Sequence, residues 1–370
     1  MRIAFVSTIL NFPWGGADTL WNRAAETALE RGDSICLALS ASTAGHPRVQ
    51  ALVAGGAQLI IRPSLTKPLS FPARVWRRLR VREGGAMVTS LAEFRPDLVI
   101  VSCGGTYDLT IEPALVGWLS RTKTRLRVIA NWQHENPSLT DIDRTAISGV
   151  FQRADVLFFV STRNLAVTRR HLLDPLPHSR VIHNPLRCGS GSELPWPDES
   201  TWRMATVSRL EHTKGVALLL HTLAATLGNE PGWRLEIFGR GPGEEYLRAV
   251  IASLRFDERV QLRGHVTTLP EIWAHNHLLV SPALEEGVPM TIPEAMMCGR
   301  PVLATCVGGA EDWVRDGETG YLCAAPTLPL LACCVRAAWQ QRTRWHELGR
   351  RAVLDAVSHY RPDDYLQLIA

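Results

Sequence analysis

What most constrains this chain is an alternation, repeated along its length, of short apolar runs with stretches long enough for a helix. In the first half the runs are Arg2–Ser7, Ser34–Leu39, Gln58–Ile61, Asp97–Val101, Arg127–Trp132, Val156–Val160 and Arg180–His183. In the second half they are Trp202–Val207, Arg234–Phe238, Val260–Leu262, His277–Ser281, Pro301–Ala304 and Gly320–Cys323. Helices fit between them, as in Thr19–Arg31, Ile142–Arg153, Val216–Leu227 and Glu244–Leu254. Strand–helix alternation of this kind predicts an α/β chain with parallel sheets covered on both faces.

The chain has 370 residues, too many for one ordinary core. A stretch rich in Gly, Ser and Pro, Cys188-Gly189-Ser190-Gly191-Ser192-Glu193-Leu194-Pro195-Trp196-Pro197, interrupts the alternation. The expected division is a first doubly wound domain over 1–187, a linker over 188–201 and a second doubly wound domain over 202–342. The terminal helices, 343–370, are expected by fold analogy to cross back to the first domain. Ligands of such sheets bind beyond the carboxyl ends of the strands, so two such edges predict a cleft between the domains.

Composition removes several function classes. Hydrophobic residues make up 46% and charged residues 21%, the balance of a soluble globular protein. The net charge of +4 suits a phosphorylated substrate or an anionic membrane surface and does not argue for nucleic acid. The eight cysteines show no C-x-x-C spacing and read as reduced core residues of a cytoplasmic protein. The apolar run at Ile3–Val6 is too short for a signal peptide, and no run is long enough to cross a bilayer.

Four segments carry chemistry. The first is Glu285-Glu286-Gly287-Val288-Pro289-Met290-Thr291-Ile292-Pro293-Glu294, between a strand and a helix. Gly287 permits a sharp turn and close ligand approach, and amides at a helix start attract anions. Glu286 and Glu294 can reach one ligand, and carboxylates accept hydrogen bonds from sugar hydroxyls. Thr291 and Glu294 also have capping-box spacing, so Glu294 is equally explained as a helix cap.

The second segment, Ser208-Arg209-Leu210-Glu211-His212-Thr213-Lys214-Gly215, sets two cations in a strand-to-helix loop. Fixed positive charge there stabilises a departing diphosphate. The plain alternative is a pair of solvated cations. The third, Trp14-Gly15-Gly16-Ala17-Asp18, suits close approach of a phosphate or a tight turn, and is not the G-x-G-x-x-G fingerprint. The fourth, Asn131-Trp132-Gln133-His134-Glu135, sets His134 at a strand's carboxyl end, where an imidazole can bind a hydroxyl.

In this order, the four segments resemble the retaining glycosyltransferases of glycosyltransferase family 4, of the GT-B fold. The Glu-x7-Glu motif of that family lies on Glu286 and Glu294. Its diphosphate-binding cations lie on Arg209 and Lys214, and its glycine loop on Gly15 and Gly16. The run Gly299-Arg300-Pro301-Val302 and the later Val307-Gly308-Gly309-Ala310-Glu311 match its ending. The resemblance implies two Rossmann-like domains facing across a cleft and transfer from a nucleoside-diphosphate sugar with retention. Glu294 is then expected on ribose hydroxyls and Glu286 on the transferred sugar. Gly287, Val288, Pro289, Met290 and Thr291 line the donor, Arg209, Lys214 and Gly16 hold the diphosphate, and His134 stands beside the donor sugar. No cofactor and no metal are expected, and His275 and His277 lack a spaced third ligand. Pro293 before Glu294, Ser208 in place of a common Gly, and the setting of His134 depart from the family pattern.

The expected partners are a nucleotide-sugar donor and a small-molecule or lipid-linked saccharide acceptor, the acceptor bound mainly by the first domain. Residues 71–82 interleave Arg with Trp, Val and Leu. They suit peripheral contact with the inner face of an anionic membrane, or, more plainly, an amphipathic helix whose stems cover apolar surface. Rival readings are a sugar-nucleotide epimerase of the same architecture and a catalytically silent sugar-nucleotide-binding scaffold.

Overall fold

The structure is a computed structural model that describes residues 1–9, 14–62, 85–133, 135–136, 139–189 and 192–370. The chain divides into two compact units, Met1–Pro185 with Arg361–Ala370, and Leu186–Tyr360.

The first unit holds β1 (Arg2–Ser7), β2 (Ser34–Ser40), β3 (Gln58–Arg62), β4 (Leu98–Gly105), β5 (Arg125–Trp132), β6 (Val156–Phe159) and β7 (Ser179–Val181). They form one seven-stranded sheet in the order β3-β2-β1-β4-β5-β6-β7. Every neighbouring pair is parallel. The second unit holds β8 (Trp202–Val207), β9 (Trp233–Phe238), β10 (Val260–Gly264), β11 (Leu278–Ser281), β12 (Val302–Thr305) and β13 (Gly320–Cys323). Its six-stranded sheet runs β10-β9-β8-β11-β12-β13, again all parallel. All the strand runs read from the sequence are present. Strand ends move by a few residues where pairing continues past the apolar run, as at Gly105, which pairs with Trp132.

Residues of the inner strands are mostly apolar on both faces because buried clusters cover both. In the second unit Met204, Leu278, Val280 and Leu303 pack in one cluster with Leu219, Leu223, Trp339 and Trp345. Their neighbours along the strands, Ala205, Leu279, Val302 and Ala304, pack on the other side with Met296, Ala310 and Ala352. Successive side chains of a strand point to opposite faces, so this alternation is the sheet's own period. Each fully buried Leu or Val contributes roughly 1.5–3 kcal/mol.

The strand order places the switch points. The chain leaves β8 toward β9 and β10, then returns to build β11, β12 and β13 on the other side. The loops after β8 and β11 therefore lie side by side at the carboxyl edge, where ligands of open α/β sheets bind.

The stretch 188–201 contains no helix or strand among its described residues, yet it is pinned. Arg300, 1% exposed, donates to the carbonyls of Leu194 (3.2 Å) and Pro195 (2.7 Å). It also donates to Trp273, Asn276 and Cys298 carbonyls and lies over the Trp196 ring. Of residues 343–370, helix Trp345–His359 belongs to the second unit and Arg361–Ala370 to the first. There Arg127 donates to the Gln367 and Ala370 main-chain oxygens at 2.8 and 2.7 Å, and Leu368 and Ile369 are buried.

Candidate functional site

β8 ends at Val207, and the residues 208–215 lead into helix Val216–Leu227. Gly215 closes this loop with φ +67°, and a Cβ there would stand 1.9 Å from the Pro282 carbonyl oxygen. Only glycine takes that backbone at so close an approach. The two loops are joined further by the Leu284 N–H, which donates to the Thr213 carbonyl at 2.8 Å. From the other side Gly308, φ +52°, lies against Glu286, whose carbonyl oxygen a Cβ would meet at 2.3 Å. The Gly309 N–H donates to the Gly287 carbonyl at 2.7 Å. Residues 285–290 are thus held between the loops that follow β8 and β12.

This packing brings two of the sequence-predicted segments to one point. Lys214 Nζ lies 2.6 Å from Glu286 Oε1, with their side chains 19% and 15% exposed. Arg209 pairs within its own loop with Glu211. Gly287 and Pro289 are buried, while Val288, Met290 and Thr291 are partly exposed.

Glu294 sits in helix Thr291–Met297 and is 3% exposed. Its carboxylate does not cap that helix, whose N-cap residue Met290 has no side-chain cap bond. Instead it takes the guanidinium fork of Arg187: Nε donates to Oε1 at 2.8 Å and a terminal nitrogen to Oε2 at 2.6 Å. The Arg187 main-chain N–H adds a longer bond to Oε1 at 3.4 Å. Hydrogen bonding to the carboxylate raises the Arg187 pKa above its ordinary value. Pro293 is tolerated beside Glu294 because the first helical N–H groups have no intrahelical partner to lose.

In the first unit Gly15 is the N-cap of helix Gly16–Glu30. Its N–H donates to Asp18 Oδ2 at 2.9 Å, and Trp21 Nε1 donates to Asp18 Oδ1 at 3.1 Å. Burial lifts the Asp18 carboxyl to about 6, against the lowering effect of those two bonds. Gly16 is the first helical residue. His134 lies outside the described residues. Its flanks are held by His171, whose Nε2 is 2.8 Å from the Glu135 carbonyl and whose Nδ1 is 3.1 Å from Gln133 Nε2. Tyr107 Oη stands 3.2 Å from the same Nδ1. Burial lowers the His171 pKa. Residues 71–82 also lie outside the described residues.

His277 is fully buried; its Nδ1 accepts the Arg203 N–H at 3.0 Å, and burial pulls its pKa down to about 4. Among the described residues no three His, Cys, Asp or Glu side chains converge as metal ligands, and no helix is long and apolar enough to cross a membrane. None of the eight cysteines is in a disulfide: four are buried, three are partly buried, and Cys333 is exposed, so they are not uniformly core residues.

Arg187 escaped the sequence reading. It is a lone cation at the edge of the Gly/Ser/Pro stretch, and its partner lies 107 positions away. Nothing periodic or motif-like connects the two.

Residues 202–340 match the family model described as glycosyl transferases group 1. Over 257 residues the chain is 27% identical to the UDP-N-acetylglucosamine–peptide N-acetylglucosaminyltransferase GtfA subunit of Streptococcus gordonii, covering 66% of this chain and 50% of that one. Over 143 residues it is 32% identical to the lipopolysaccharide core biosynthesis mannosyltransferase LpsB of Rhizobium meliloti, covering 37% of this chain and 41% of that one. The chain thus spans half or less of the length of these curated relatives. Among solved structures it is similar to Anabaena Alr3699/HepE in complex with UDP, with a TM-score of 0.75 at 17% identity, covering 100% of this chain and 98% of that one. With two parallel, doubly wound units and this full-length likeness, the chain has the GT-B fold, and its second unit carries the match to glycosyl transferases group 1.

Proposed function

We propose that the protein is a glycosyltransferase that moves a sugar from a nucleoside-diphosphate sugar to an acceptor hydroxyl, with retention of anomeric configuration and no essential metal. The observation that carries this reading is the Lys214–Glu286 contact, made where the loops after β8 and β11 meet at the switch point. The group 1 match over 202–340 supports it. So do relatives named as using UDP-N-acetylglucosamine and a fold neighbour solved with UDP, which make UDP-sugars the first donors to test.

The chemistry follows from the charges. Without donor, Lys214 and Glu286 neutralise each other. A diphosphate competes for Lys214, and the freed Glu286 accepts hydroxyls of the sugar being transferred. Arg209 adds the second positive charge. As the bond from C1 to the phosphate oxygen breaks, negative charge grows on the leaving diphosphate, and these fixed cations stabilise it. The acceptor oxygen bonds to C1 on the same face, and its proton passes to the departing phosphate oxygen. Glu294 accepts ribose hydroxyls. In this reading unit 2 is the donor unit, and unit 1 serves a small-molecule or lipid-linked saccharide acceptor.

The test is proton NMR of the protein mixed with UDP-glucose, UDP-N-acetylglucosamine or GDP-mannose and a panel of saccharide acceptors. An α-linked product from an α-linked donor supports the proposal. A β-linked product refutes retention, and an altered sugar nucleotide formed without acceptor supports an epimerase.

A further inference from the structure

We infer that Arg187 is a positioning residue of the donor site, which holds the Glu294 carboxylate in the orientation that reads the nucleotide ribose. The inference rests on the proposed role of Glu294. Three donors from Arg187 converge on that carboxylate, two of them through the planar fork at 2.8 and 2.6 Å. A fork of this kind fixes the plane of a carboxylate as well as its place.

The asymmetry of exposure shows the direction of the arrangement. The Glu294 side chain is 4% exposed and that of Arg187 42%. Burying an ionised carboxylate without a partner is costly, so a cation must accompany Glu294 if it is to stay charged. A mere neutralising charge could come from any lysine; the two-point contact also removes the rotation of the carboxylate.

Counting acceptor positions makes the inference specific. An ionised carboxylate offers about four lone-pair sites. Oε1 receives both the Nε and the main-chain N–H of Arg187, whereas Oε2 receives a single bond. The remaining acceptor position is on Oε2. A ribose hydroxyl fits this site as donor, and a sugar lacking that hydroxyl leaves the position empty. Arg187 therefore acts through Glu294 on discrimination between ribose and deoxyribose, not on diphosphate affinity.

The experiment is calorimetric titration of the full chain with UDP, GDP and ADP, each beside its 2′-deoxy counterpart. It is run on the wild type, Arg187→Ala and Arg187→Lys, with melting temperatures recorded. The wild type is expected to prefer one ribonucleotide over its deoxy form by roughly tenfold or more, the worth of one charge-assisted hydrogen bond. In Arg187→Ala that preference collapses because ribonucleotide binding weakens to the deoxy level. Arg187→Lys restores charge and melting temperature but not the preference. A wild type that binds a ribonucleotide and its deoxy form equally overturns the reading of Glu294. A wild type that discriminates, with folded Arg187→Ala and Arg187→Lys discriminating as well, overturns the role of Arg187. If Arg187→Ala does not fold, Arg187→Lys decides alone.

Discussion

In the proposed donor site, binding and chemistry divide between single residues, Lys214 and Glu286. Glu286→Ala is expected to lower turnover at least about a hundredfold, since groups acting on the reacting sugar affect the transition state most. Nucleoside diphosphate affinity should hold or rise, because the proposed contact lies with Lys214 and the carboxylate that competes for it is gone. Lys214→Ala should weaken the diphosphate as well, by roughly 1.5–3 kcal/mol for a lost charge-assisted bond. Steady-state kinetics beside calorimetry distinguish the two, and equal affinity losses in both variants would contradict the assignment. Asp18 gives a pH prediction of known sign. Its folded pKa of about 6 stands above the ordinary 3.8, so the folded state holds the proton more tightly. Its contribution to stability is fully present below about pH 4 and is lost as pH rises through about 6. Asp18→Asn removes that dependence and keeps an oxygen for the Gly15 N–H. The stability difference, wild type minus variant, should grow by roughly 2–3 kcal/mol from pH 7.5 to pH 4 in urea unfolding. A flat difference would show that the carboxyl is not shifted.

The elements of the site are loops held by other loops. Gly308 touches the Glu286 main chain so closely that no side chain fits. Gly308→Ala is expected to cost roughly 1–3 kcal/mol from left-handed strain alone. The displacement of residues 285–290 should lower diphosphate affinity at the same time. A variant that loses stability while binding normally would show that the β12 loop does not set the position of Glu286. Legibility also divides at this level. The parallel strands were readable because the inner ones are buried on both faces and carry mostly apolar runs, as in Ile3–Val6 and Leu98–Val101. The strand-end loops were readable because glycines, carboxylates and cations cluster there at motif spacing. The Arg187–Glu294 fork was not, since a contact across 107 positions leaves no local pattern. Capping-box spacing at Thr291 and Glu294 pointed the wrong way for the same reason: it registers local options, and the tertiary partner won.

Across the whole molecule, the sequence shows where elements begin more clearly than which unit owns them. The Gly/Ser/Pro stretch reads as a linker by composition, yet Arg300 ties Leu194 and Pro195 to the second unit. A buried arginine reads as part of a Gly-Arg-Pro-Val run, and its carbonyl cage is visible only in three dimensions. Burial also lowers its pKa to about 10, and the carbonyls replace the hydrogen bonds that burial takes from water. Arg300→Met should cost at least about 3 kcal/mol, because several carbonyls lose their donor together and each orphaned group costs about 1–3 kcal/mol. A loss under 1 kcal/mol in urea unfolding would mean that the stretch is held by other means. The segment after residue 342 divides for a similar reason. Trp345 and Leu348 complete the core of the second unit, whereas Leu368 and Ile369 are buried in the first.

In the proposed function, the β8 and β11 loops bind a sugar nucleotide through Lys214. The most direct measurement is calorimetric titration of the purified, folded full chain with UDP, GDP, ADP and TDP, on wild type and Lys214→Ala. Saturable binding of one diphosphate is expected, with a roughly tenfold or greater loss in the variant. Binding of none of the four by folded wild-type protein, or unchanged affinity in Lys214→Ala, would contradict the proposal.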